Sequence, residues 1–240
     1  MPIIYSSNGT INRDLIKDYI RTKKKENPDF KVLDVGGTAN PWCDDLVDGY
    51  VDIVPHDSKK VYMGDINSEK VWKEIGREKW DFCICTHTLE DIRDPKFVID
   101  RIQSSFQSGF ISIPNKHTEF SNVESKHYLG YCHHRWIFQI TSDGRFRAIA
   151  KMPIVNLFNK YNLFQNFLFN LRMMVRRLKF KTVTDLPSIN WTDHKKASHK
   201  CELAFLWEKD FSFEYINGDF AGKSCDELAR LYLEELKDGL

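Results

Sequence analysis

The stretch from Lys31 to Ile53, KVLDVGGTANPWCDDLVDGYVDI, constrains the fold more than any other part of the chain. It opens with a short apolar run, Lys31–Val35, that carries an acid, Asp34, and ends at two adjacent glycines, Gly36 and Gly37. A second apolar run, Tyr50–Val54, carries another acid, Asp52. Short apolar runs bounded by turn residues read as buried parallel strands. Glycine after the first strand lets the backbone turn sharply and lets a ligand approach the main chain. The second acid, eighteen residues after the first, stands where a nucleotide ribose presents its hydroxyl pair in open α/β sheets. The stretch therefore predicts a strand, a tight turn and a second strand, with a nucleotide-type site at their ends.

The chain around it continues the pattern. Asn12 to about Lys25 reads as a helix with an apolar stripe of Leu15, Ile16, Tyr19 and Ile20, with Asn12 as its N-cap, and it would cover the first strand. Lys60–Met63, Trp80–Cys85 and Gly109–Ile113 are further strands, and the segments from Ser68 to about Glu78 and from Pro95 to Phe106 are helices. Such alternation predicts a mostly parallel central sheet with helices on both faces, the α/β Rossmann-like class. Ligands of such sheets bind outside the carboxyl ends of the strands. Asp34–Gly37, Asp52, Asp65, Cys85–Glu90 and Pro114–Glu119 are thereby expected to converge on one edge.

Here the residues resemble a known family. VLDVGG, then VDI, then GDI, then WDFCICTHTLEDIRDP look like the class I S-adenosylmethionine-dependent methyltransferases, and among them the type 11 group. The resemblance runs from about Lys31 to Asp100. It continues more loosely through SIPNKHTEF and GYCHHRWIF, a pairing similar to a smaller subgroup that methylates sugar hydroxyls in glycans. It implies S-adenosylmethionine as cofactor and a small-molecule or glycan acceptor. By position, Asp34, Gly36 and Gly37 would hold the amino-acid end of the cofactor, and Asp52 would accept from both ribose hydroxyls beside Ile53. Asp65 with Ile66 would frame the adenine, and Thr86 with His87 would line the site after the fourth strand. The chain departs from the family where G-x-G-x-G becomes Gly36-Gly37-Thr38-Ala39-Asn40, and where Pro41 leaves little room for a first helix. A dinucleotide-binding alternative lacks the G-x-G-x-x-G that its helix–strand packing needs.

Moving a methyl group onto a hydroxyl requires alignment of the acceptor and removal of its proton, a task suited to histidine. His117, Glu119, His127, His133 and His134 crowd the segment after the fifth strand, although the chain has only 8 histidines. The expectation is His133 or His134 as general base, with Glu119 orienting the imidazole or the sugar. If the pair lay in a strand, its two rings would point to opposite faces and only one would reach the pocket. No metal is expected, because no HxH or HxxxH pair is present and magnesium prefers carboxylate oxygens.

The remaining chain adds less chemistry. Trp136–Ile140 and Arg145–Ala150 form a hairpin, and Glu202–Trp207 with Phe211–Tyr215 reads as an antiparallel pair, one hairpin or the other completing the sheet edge. Residues 154–179 show a helical seam ending in a basic cluster, which suits a helix packed on the sheet, a lid, a homodimer contact or a surface meeting anionic lipid or a polyanionic substrate, within a helical insertion at 152–200. Ser224 to Glu227 is a capping box opening a last helix. At 240 residues a single domain is expected. A net charge of +1 gives no reason to expect nucleic acid, although nucleic-acid or other small-molecule methylation and an inactive binding module remain alternatives. No membrane span and no secretory leader are visible, and the six cysteines lack zinc or CxxC spacing, so reduced thiols and a cytoplasmic setting are expected.

Overall fold

The computed structural model describes residues 3–6, 9–120, 129–152, 202–216 and 223–236. Its order is β1 (Ile3–Ser6), α1 (Gly9–Glu26), β2 (Val32–Val35), β3 (Gly49–Asp52), β4 (Lys60–Met63), α2 (Glu69–Ile75), β5 (Phe82–Thr86), α3 (Pro95–Ser105), β6 (Ser108–Pro114) and α4 (Lys116–Glu119). There follow β7 (Trp136–Ile140), β8 (Phe146–Ala150), β9 (Glu202–Glu208), β10 (Phe213–Ile216) and α5 (Cys225–Glu235). The segment 154–179, with its expected helix and dimer contact, and His127 lie outside the described residues.

Seven strands form the main sheet in the order β1-β9-β6-β5-β2-β3-β4. The run β6-β5-β2-β3-β4 is parallel throughout. This is the mixed α/β, mostly parallel architecture that the alternating sequence predicts. The antiparallel edge is present, but its strands come from opposite ends of the chain. β9 runs antiparallel to both β6 and β1, while β10 leaves for a second sheet. In that sheet β8 pairs antiparallel with β7 and parallel with β10. Neither expected hairpin therefore completes the main sheet. The apolar runs were correctly read as strands, but apolarity alone does not choose between partners.

Both faces of the main sheet are covered, as its buried strands require. Ile16 and Ile20 of α1 pack with Val32, Tyr50, Phe82 and Ile84 on one face. Leu15 is 45% exposed, so the inward stripe is narrower than the sequence suggests. Asn12 is no cap: α1 begins at Gly9, and Asn12 is buried within the helix. On the opposite face α2, α3 and the second sheet share one core, in which Leu33, Val35, Val98, Phe138, Phe146 and Phe205 take part. The α3 boundaries follow from its caps. The Asp94 side chain accepts from Phe97 N at 3.0 Å, and Pro95 occupies the first turn, where its missing N–H costs nothing.

The second sheet is sandwiched between that core and α5. Ile137 and Ile149 face Tyr232 and Leu236. α5 opens on the expected capping box, Ser224 with Glu227. Near its other end Lys116 Nζ donates to the Leu236 carbonyl at 2.7 Å, placing a cation where the helix dipole is negative. The Tyr232 hydroxyl donates to the Ala150 carbonyl and accepts from Met152 N at 2.8 Å. Tyr232→Phe would leave that amide and carbonyl without their partner in a buried setting, at a cost of about 1–3 kcal/mol. Urea denaturation of the variant should show this loss as a lower midpoint with an unchanged slope.

Candidate functional site

The parallel strands end on a common rim, and Asp34, Gly36, Gly37, Asp52, Asp65, Thr86 and His87 lie along it. Asp34 sits on the central strand β2, in register with Tyr50 of β3 and Ile84 of β5. Alternation along β2 sends Leu33 and Val35 toward the α3 layer and leaves Val32 and Asp34 on the α1 face. The Asp34 side chain is fully buried, and neither of its oxygens has a hydrogen-bond partner. Burial, and then the charge of Asp52, push its carboxyl up to about 8. A buried carboxylate without a partner is costly, so near neutrality this group holds a proton until a cation meets it.

The turn above Asp34 is built of glycine for two separate reasons. Gly36 has φ +85°, a backbone region that side-chain-bearing residues rarely adopt, and a Cβ there would lie 2.5 Å from the Thr88 side chain. A Cβ on Gly37 would stand only 2.1 Å from Asp34 Oδ2. The second glycine thus keeps open the space over the carboxyl. Beyond it residues 38–48 form turns in place of a first helix, as Pro41 predicts, and Trp42, Cys43 and Val47 pack against the α1 face. The Trp42 indole N–H donates to Thr86 Oγ1 at 3.2 Å, and the Arg13 guanidinium lies 5.5 Å from the ring centre.

Asp52 closes β3 on the same rim, nearly buried. Its Oδ2 accepts from Thr38 N at 3.1 Å and from Thr38 Oγ1 at 2.7 Å, and its Oδ1 from Val54 N at 3.2 Å. A carboxylate has about four acceptor positions, so most of the capacity of Asp52 is engaged within the chain. Ile53, next in sequence, is 71% exposed, and Val54 and Met63 are also largely open, an apolar shelf at the ends of β3 and β4. Asp65 lies just past β4, exposed, with Oδ1 accepting from Asn67 N at 2.8 Å. Ile66 instead turns into the core, where its carbonyl accepts from the Trp72 indole at 2.7 Å.

β5 ends at Thr86, and His87 follows at φ +51°. His87 Nε2 lies 2.8 Å from Glu202 Oε1 and Nδ1 lies 3.4 Å from Glu90 Oε1. Burial works against the imidazolium, but these two carboxylates outweigh it and raise His87 to about 9. At neutral pH His87 is therefore a cation, which makes it a poor base and a good anion partner. Glu202 begins β9, and Arg13 is 3.8 Å from it. Neither was legible as a site residue: Glu202 reaches His87 only through the long-range pairing of β9 with β6, and Arg13 on α1 reaches Glu202 only through tertiary packing.

The histidine pair departs from the expected geometry. His133 and His134 occupy a turn before β7 instead of a strand, and their rings meet edge to face with centres 4.6 Å apart. Both approach Asp91, with His133 Nε2 at 3.9 Å and His134 Nε2 at 3.8 Å from its Oδ1. Strand alternation does not apply to a turn, so both rings face one group. His134 Nδ1 lies 2.6 Å from Glu119 Oε1, the orienting contact expected for Glu119. Lys151, unforeseen in the sequence, donates to Glu119 Oε2 at 2.6 Å and to the Tyr131 carbonyl at 2.9 Å. Gly130, at φ +62°, permits this closeness, because a Cβ there would lie 2.7 Å from Glu119 Oε2. His117 lies in α4.

The two halves of the rim are joined through residues 88–92. Thr88 Oγ1 donates to the Val35 carbonyl at 3.3 Å and Asp91 N to the Thr88 carbonyl at 3.2 Å. Arg135 N donates to the Glu90 carbonyl at 2.7 Å and the Trp136 indole to the Ile92 carbonyl at 2.8 Å. The glycine turn and the histidine turn thus rest against the same short loop. Among the described residues no helix is long and apolar enough to cross a membrane, and Cys43, Cys83, Cys85 and Cys132 are free thiols.

No family model and no curated protein matches the sequence. Solved structures do show similarity. A SAM dependent methyltransferase from Archaeoglobus fulgidus aligns at 12% identity with TM-score 0.38, over 82% of this chain and 94% of that one. The N-terminal domain of EvdMO1 with SAH bound aligns at 10% identity and TM-score 0.33, over 47% of this chain and 55% of that one. WbdD aligns at 15% and 0.35, over 46% and 30% respectively. The chain therefore spans about half or less of the length of these last two. At such identities and TM-scores the likenesses assign no function.

The Asp34 carboxyl gives a stability test. Its pKa is raised from 3.8 to about 8, so the stability it contributes is full below about pH 4 and is lost as pH rises toward about 8. Asp34→Asn removes that dependence while keeping the volume. The melting temperature of the variant, relative to the parent chain, should rise steadily across this window; a constant offset would mean that Asp34 does not carry the shift.

Proposed function

We propose that this chain is an S-adenosylmethionine-dependent methyltransferase that acts on a hydroxyl, with a sugar as the acceptor. The observation that carries the cofactor half is the buried, partnerless Asp34 carboxyl beneath a glycine pair that holds the space above it open. That is an apt receptor for an ammonium group, and Asp52 stands one strand away for a ribose. The cofactor's amino-acid end would lie on Asp34, Gly36 and Gly37. Its ribose would lie on Asp52, where Thr38 gives up a hydrogen bond, and its base on the apolar shelf at Ile53, with Asp65 alongside. Thr86 and the cationic His87 would border the carboxylate end. When bound, S-adenosylmethionine supplies a methyl group activated by its sulfonium.

The chain's own contribution is alignment and proton handling. Well-oriented reactants save on the order of 7–11 kcal/mol in favourable cases, and a base adds about 10²–10⁴-fold. Glu119 fixes the tautomer of His134 by accepting from Nδ1, which leaves the Nε2 lone pair to act on the acceptor hydroxyl. The resemblance of SIPNKHTEF and GYCHHRWIF to sugar O-methyltransferases supports a sugar acceptor. The basis for O-methylation is the histidine turn resting on the loop that also borders the glycine turn.

Calorimetry with S-adenosylhomocysteine tests the assignment. Asp52→Ala should abolish binding. His134→Ala should retain binding and lose at least about 10²-fold of the turnover on a deoxysugar glycoside. Absence of binding to the unmodified chain would defeat the proposal.

A further inference from the structure

Three ligand atoms converge beside the proposed acceptor site. One ligand atom each from Asp91, His133 and His134 lies within 4.8 Å of the other two, and Asp91 Oδ1 is 3.9 Å from His133 Nε2 and 3.8 Å from His134 Nε2. Two imidazoles and a carboxylate favour Zn²⁺ and neighbouring first-row ions over Mg²⁺ or Ca²⁺. Bonds of about 2.0–2.2 Å in a tetrahedral site place ligand atoms roughly 3.4 Å apart. The two oxygen–nitrogen spacings need a closure of about half an ångström and the nitrogen–nitrogen spacing at most about 1.4 Å, within the reach of the Asp91 and His133 side chains, which are 44% and 55% exposed.

The surroundings have the organisation that metal-binding histidines need. A ligating imidazole normally donates its other N–H to a carboxylate, which fixes ring and tautomer. His134 does so to Glu119, and Glu119 is held in turn by Lys151, with both of those side chains 1% exposed. A buried acid–base pair of this kind is costly to assemble and gives little net stability, so its position behind one imidazole calls for another use. Fixing the direction of the His134 Nε2 lone pair is that use.

We propose that Asp91, His133 and His134 bind a divalent cation of the Zn²⁺ class, with a further coordination position open to an oxygen of the acceptor. Cation binding stands independently of the methyl-transfer reading; only the identity of the oxygen ligand rests on it. In this form the His134 Nε2 lone pair is engaged by the ion and does not itself take the proton; the ion would lower the pKa of the bound hydroxyl, whose proton passes to solvent. Adjacent histidines can both ligate because they lie in a turn, which explains why no HxH or HxxxH spacing is present.

The test uses the full chain, stripped by chelator and free of any cofactor, titrated with Zn²⁺ in a calorimeter and with Co²⁺ by visible absorption. One equivalent should bind. His133→Ala and Asp91→Asn should each weaken Zn²⁺ binding at least about 100-fold and abolish the Co²⁺ bands, and Glu119→Gln should weaken it about 10–100-fold. His56→Ala, an imidazole stacked on Tyr50 elsewhere, should change nothing. Circular dichroism checks that each variant is folded; His133 is exposed enough that its truncation spares the core. No uptake by the parent chain, or equal uptake by the parent, His133→Ala and Asp91→Asn, would overturn the proposal. S-adenosylhomocysteine binding, measured separately, should survive His133→Ala. Its absence in the parent chain would defeat the methyl-transfer reading and leave the cation result standing.

Discussion

A carboxyl group without a partner, on the central strand of a fully covered sheet, is the constraint around which the rest of this structure is arranged. Asp34 occupies a position where the neighbouring strands offer its oxygens no hydrogen-bond partner, and burial alone would select an apolar residue there. Its cost is tolerable because it stays protonated near neutrality. Gly37 keeps side-chain atoms out of the space above, and Gly36 turns the chain so that this space lies at the strand ends. The turns that replace a first helix then bring Thr38 back onto Asp52 and Trp42 over Thr86, bordering the rim on both sides.

The second organising feature is the way chain-distant parts fix one short loop. Residues 88–92 take hydrogen bonds from the start of β7 and make one to β2. The segment that carries β7 and β8 is thereby tied to the rim of the main sheet. It delivers His133 and His134 to Asp91, and the buried Lys151–Glu119 pair behind them holds one ring in a defined orientation. Breaking such a pair by removing one partner typically costs about 3–5 kcal/mol, so local rigidity and the direction of the His134 lone pair are linked. The cationic His87 between Glu90 and Glu202 adds a third charged group to the same rim.

Much of this was legible in the sequence where the signal is local. Short apolar runs located β2 to β6, glycine and proline marked the turns, and Asp94-Pro95 and Ser224–Glu227 announced helix starts. What depends on pairing between distant segments was not legible. β9 and β10 look like a hairpin because both are apolar and adjacent, yet β9 adds to β6 and β10 to β8. The same limit hid Glu202, Arg13 and Lys151, whose chemistry exists only through tertiary contact. Asn12 was read as a cap because its type is favoured at that position, but α1 starts earlier and buries it. For His133 and His134 the residue types marked a cluster that the structure brings together with Asp91 and Glu119, while the assumption of a strand gave the wrong directions.

In the proposed reading Asp34 surrenders its proton to meet a cationic amine. Calorimetry of S-adenosylhomocysteine binding near pH 7, repeated in buffers of different ionisation enthalpy, measures that directly. Release of close to one proton per ligand bound is expected of the parent chain and almost none of Asp34→Asn. Binding with no proton release by the parent chain, or equal release by both, would contradict it.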